Sequence, residues 1–106
     1  MGHNEYAELQ THRRFLEEVE MAVRAANQEI IHEHISNLTR ENFHRLAVVV
    51  AKKRAEYLDA VMKMDWAENR NALTNLRQLR EDFDEATQAF DAMQRTIERG
   101  YVKISD

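Results

Sequence analysis

The sequence predicts an all-α protein, an antiparallel three-helix bundle or helical hairpin with coiled-coil-like seams. Three observations carry that expectation. Proline is absent and the two glycines stand at positions 2 and 100, so no strong helix breaker falls between residues 3 and 99. Apolar residues recur at alternating spacings of three and four over two long segments, the signature of a narrow helical seam. Charge also alternates along the chain. Residues 1–38 hold three basic against seven acidic side chains (net -4), residues 39–64 six against three (+3), and residues 65–106 six against nine (-3). A basic helix lying between two acidic ones suits that alternation, although each surface ion pair by itself contributes little. The 106 residues make one domain, 1–106, with a modest core, and a larger core requires a partner chain.

The first helix is expected over residues 5–35. Leu9, His12, Leu16, Val19, Val23, Ala26 and Ile30 fall on one stripe. The segment SNLT is the first corner, where Asn37 suits a left-handed residue closing helix one. Thr39 has the chemistry of an N-cap, and Leu38 with Phe43 has the spacing of a hydrophobic staple, which starts a second helix over residues 40–64. From Phe43 onward the apolar residues broaden through LAVVVA to Tyr57, Leu58, Val61, Met62 and Met64, so this helix has apolar surface on more than one side. Asp65 followed by Glu68 reads as a capping box for a third helix over residues 66–99. The competing architecture joins helices two and three into one rod, across which the seam passes with a single extra step of four. Helix three carries the most regular stripe: Ala72, Leu76, Leu79, Phe83, Ala86, Phe90, Met93 and Ile97. Gly100 has the conformational freedom of a closing residue, Tyr101 or Val102 is placed to pack back, and the tail 100–106 is expected to be short and loosely held.

Candidate chemistry is sparse. Glu29/His32 and Glu41/His44 both read Glu-x-x-His, the spacing by which ferritin-like bundles present two metal ligands from one helix face, and His34 lies nearby. A helix turns about 100° per residue, which points both pairs away from the seams, and the seam positions that would complete an inward site are Leu, Val, Ala and Phe. Solvated charge beside a hairpin corner is therefore the favoured reading, and a metal-binding bundle using Glu29, His32, His34, Glu41 and His44 is the alternative. No other cofactor is implied. His12 occupies a seam position and reads as a hydrogen-bonded or partly exposed histidine.

Lys52, Lys53 and Arg54 form a basic run, with Arg54 expected on the inward seam. The run wraps around the helix, and the chain as a whole is acidic at net -4 and lacks aromatic platforms between basic residues, so nucleic acid is not the expected partner. Glycine-rich phosphate loops and nucleophile–base signatures are missing, and no residue is assigned a catalytic role. The polar N-terminus lacks the apolar stretch of a secretory signal, no apolar run has the length to cross a bilayer, and there is no cysteine, which together predict a cytoplasmic protein without a membrane partner.

What remains is surface. Helix two offers more apolar area than two narrow neighbours cover, which points to a protein–protein interaction module, an adaptor, assembly factor or structural subunit, that self-associates as a homodimer and engages an unidentified protein partner. The residues expected to carry that contact are Leu46, Val49, Val50, Tyr57, Val61, Met62 and Trp66.

Overall fold

A computed structural model describes residues 2–67 and 70–105. The chain is all-α, with α1 over Gly2–His34, α2 over Arg40–Lys63 and α3 over Arg70–Glu98. A two-residue strand β1, Leu38–Thr39, pairs in parallel with β2, Ile104–Ser105. Helix–helix packing is concentrated between α2 and α3, which lie side by side as a hairpin.

Both starts and stops obey local chemistry. Thr39 is extended (φ -99°, ψ 160°), and its hydroxyl accepts from the Asn42 amide at 3.0 Å, which satisfies one of the four donors a helix start leaves unpaired. At the other end of α2 no glycine or proline intervenes. Met64 leaves helical geometry (φ -66°, ψ 130°), and the Asp65 carboxylate accepts from the Ala67 amide at 3.1 Å, a local turn that competes with continuing the helix. This break excludes the single rod. It also corrects the start of α3, because Trp66 and Ala67 belong to the turn and α3 begins at Arg70; Glu68 of the expected capping box lies outside the described residues. At the end of α3, Gly100 takes φ +74°, its amide donates to the Ile97 carbonyl at 3.0 Å, and the Tyr101 amide donates to that of Thr96 at 3.0 Å. That pair of bonds is a Schellman closure.

The hairpin seam uses every expected position of helix three: Ala72, Leu79, Phe83, Ala86, Phe90, Met93 and Ile97 are half-buried and Leu76 is buried. Opposite them stand Phe43, Leu46, Val50, Lys53 and Tyr57 of α2, again stepping by three and four, with Met64 just past its end. Two ring pairs cross the seam. Phe43 stacks on Phe90 with centroids 5.0 Å apart, and Tyr57 on Phe83 at 6.3 Å.

Two expectations about the first corner and the tail are corrected. Among the described residues no side-chain-bearing residue has positive φ, so Asn37 does not close α1 in a left-handed conformation. Its side chain has another use: the Asn37 Oδ1 accepts from the Ser105 hydroxyl at 2.9 Å. The tail is held as well. Leu38↔Ile104 and Thr39↔Ser105 pair in register, and Val102, at 5% exposed, is the most buried among the described residues, ahead of Leu76 at 6% and Leu38 at 8%. A tight core thus sits where the corner, the tail and the start of α2 meet.

The expected stripe of α1 has no such cover. Leu9, His12, Leu16, Val19, Val23, Ala26 and Ile30 are all exposed, and α1 does not fold back along the hairpin. The connection explains why: Leu38 and Thr39 are drawn out as a strand and clasped by the tail, so the corner is not the compact loop that returns one helix antiparallel to the next. The molecule is open in consequence. Its radius of gyration is 22.3 Å, where a compact chain of this length has about 13 Å.

Candidate functional site

Most of the exposed apolar surface lies on two helices, with Trp66 and Ile104 outside them. On α1 it is the stripe from Leu9 to Ile30, which runs about 30 Å at the helical rise; its part from Leu9 to Val23 is a shallow groove bordered by Arg13, Glu17 and Glu20. On α2 it lies away from α3. Val48, Ala51, Ala55, Leu58 and Met62 are exposed and step by three, four, three and four, a second heptad stripe on a helix whose first one is already packed. At about 100° per residue the two stripes of α2 are centred roughly 140° apart, far enough for both to be covered at once.

The residues expected from sequence divide between these faces. Leu46, Val50, Tyr57 and Val61 are half-buried in the hairpin. Val49 is exposed at the edge of the seam, and Met62 and Trp66 are 83% and 65% exposed. Val48, Ala51, Ala55 and Leu58 belong to the exposed stripe but not to the residues expected from sequence. Their signal was present: the count of three and four starting from Val48 is as regular as that starting from Phe43. Trp66 sits at the hairpin end, where it lines a cleft with Tyr57, Leu73, Leu76, Arg77 and Arg80.

Charge separates the helices. α1 carries seven glutamates and three arginines (net -4), whereas α2 carries six basic and three acidic residues (net +3). On α2 several charges are paired locally, Arg45 with Glu41 at 3.3 Å, Lys53 with Glu56 at 3.4 Å and Lys63 with Asp59 at 3.0 Å. The positive excess remains after those pairs are matched one to one. In the basic run, Lys53 rather than Arg54 takes the half-buried seam position, and Arg54 is exposed with its guanidinium 5.3 Å from the centroid of the Phe83 ring.

Glu29, His32, His34, Glu41 and His44 are all exposed, and among the described residues no three His, Cys, Asp or Glu side chains come together as a metal site would need. Glu41 is instead engaged by Arg45. Among the described residues no helix is long and apolar enough to cross a membrane. Compared with known protein families, curated proteins and solved structures, the chain matches none.

Proposed function

We propose that the protein is a small helical interaction module that self-associates as a homodimer and serves as an adaptor, assembly factor or structural subunit. One observation carries this reading: the chain exposes 9052 Å², whereas a compact monomer of its mass exposes about 6,200 Å². The difference, about 2,900 Å² per chain and so about 5,700 Å² for two, lies at the upper end of the roughly 2,000–5,000 Å² and more that obligate homodimers bury in total. Much of its apolar part is organised in one stripe on α1 and one on the outer side of α2, each with the spacing that helix–helix packing uses, while Tyr6, Phe15, Met21 and Trp66 are exposed off those stripes. An amphipathic helix gains most of its stability from tertiary packing, so a 33-residue α1 with its whole stripe in water is a helix awaiting a partner.

The three-helix bundle then forms by assembly, with α2 as the basic element between acidic neighbours. Native mass spectrometry of tag-free protein, together with light scattering across a dilution series, tests the reading. A dimer or higher species is the expected result, and a strict monomer at high micromolar concentration sinks it.

A further inference from the structure

We propose that the outer stripe of α2 is the docking site for α1 of a second copy of this chain, so that two chains exchange their first helices and each bundle is completed by its partner. The exchange rests on self-association, and it specifies which surfaces meet.

Three observations select this occupant. The first is the corner. β1 is clasped by β2 through a parallel register, and the Ser105 hydroxyl donates to Asn37 at 2.9 Å, which directs α1 away from its own hairpin and leaves its stripe to be covered in trans. The second is pattern. Leu9, Leu16, Val19 and Val23 on α1 and Val48, Leu58 and Met62 on α2 belong to stripes of the same three-and-four period, which is the condition for knobs of one helix to enter holes of the other along a common length.

The third observation is charge. Pairing α1 with α1 opposes two helices of net -4, and pairing α2 with α2 opposes two of net +3; only α1 against α2 sets -4 against +3. Glu8, Glu20 and Glu33 flank the stripe on α1, with Arg13 among them, and Lys52 and Arg54 flank the one on α2, where Lys63 is paired with Asp59 at 3.0 Å, so the complementarity is one of net charge. A two-fold axis makes the contact occur twice, since each chain donates one α1 and accepts one, and the arrangement closes without leaving a free stripe to propagate.

The composition provides a direct test on unaltered protein. α1 has seven glutamates and no lysine, whereas α2 holds three of the four lysines in the chain, so a zero-length carbodiimide link from an α1 carboxylate to Lys52 or Lys63 reports this contact. Uniformly 15N-labelled and unlabelled chains are mixed, equilibrated, cross-linked and digested. The expected result is α1–α2 peptides joining one labelled and one unlabelled chain at the statistical share for an intermolecular contact.

A dimer by mass whose α1–α2 links are confined to single-isotope pairs, or whose mixed links join α2 to α2 or to the tail, overturns the exchange while leaving self-association intact. A monomer overturns both. As a second arm, Val23→Glu on α1 and Leu58→Glu on α2 replace side chains that are 52% and 51% exposed in the single chain, so the hairpin and its helical circular dichroism are retained. Each is expected to weaken dimerisation roughly tenfold or more. Dimerisation unchanged by both variants refutes the proposal even if cross-links are scarce.

Discussion

α1 and α3 carry the same apolar periodicity and meet opposite fates. Every seam position of α3 from Ala72 to Ile97 is buried or half-buried, and every seam position of α1 from Leu9 to Ile30 is exposed. The difference lies in the segments that connect each helix to α2. α2 ends in a turn in which the Asp65 side chain accepts from the Ala67 amide, and α3 packs back along α2, whereas α1 leads into an extended corner clasped by the tail. Periodicity states that a face must be covered; the connection decides whether the cover comes from the same chain.

Leu76→Ala tests this contrast most severely. Leu76 is buried in the hairpin, and its truncation is expected to cost about 2–4 kcal/mol, read as a drop in thermal midpoint. Leu16→Ala on α1, measured where the chain is dilute enough to be monomeric, is expected to cost less than about 0.5 kcal/mol. Equal losses at the two sites would mean that α1 is packed within its own chain.

A double-mutant cycle on Phe43 and Phe90 probes the hairpin side of the contrast. The stacked rings are 5.0 Å apart, so a coupling of about 0.5–1.5 kcal/mol beyond the loss of buried area is expected. Additive single losses would place the two rings out of contact.

Smaller effects test the helix ends. Thr39→Ala removes the oxygen that accepts from Asn42 and is expected to cost about 1 kcal/mol, with Thr39→Ser recovering most of it. Gly100→Ala has a similar expected cost, about 1 kcal/mol, but for a different reason. A Cβ there meets nothing within 4 Å, so the loss is the strain of φ +74° alone. A neutral Gly100→Ala would show that the Schellman closure relaxes into ordinary helix.

The mildest change is expected at Ser105, where alanine removes the donor to Asn37 in an exposed setting and costs about 0.5 kcal/mol. Its informative readout is amide exchange. Faster exchange at Leu38 and Thr39 is expected in that variant, and unaltered protection would mean that the clasp is held by Val102 burial without the hydrogen bond.

Much of the fold was legible from the residues. The caps at Thr39 and Gly100 were readable because capping is local, set by side-chain oxygen reach and by the freedom of glycine. The α3 seam was readable because period and length agree over eight positions. The end of α2 was harder, since an aspartate accepting from an amide two residues on is one of several conformations available to DWAE, and only the returning helix selects it.

The candidate surface was legible in part. Broad apolar content on α2 was evident, but assigning residues to its two faces required knowing which face α3 takes. Once Phe43, Leu46, Val50 and Tyr57 are committed inward, Val48, Leu58 and Met62 become the outer stripe, and Met62 with Trp66 remain the most exposed of the residues expected from sequence. The tail was misjudged because YVKISD is polar and short; its value comes from one valine in a small core and two residues of parallel pairing with a segment about 65 positions away.

The amino-acid order alone made this protein helical, set the start of α2 at Thr39 and the close of α3 at Gly100, and marked which stripes are apolar, because those properties depend on side-chain chemistry within a few turns. Tertiary contacts chose the direction in which α1 leaves the corner, the face of α2 that meets α3, and the anchoring of the tail, because each depends on segments far apart in the chain, whose pairing no local spacing encodes.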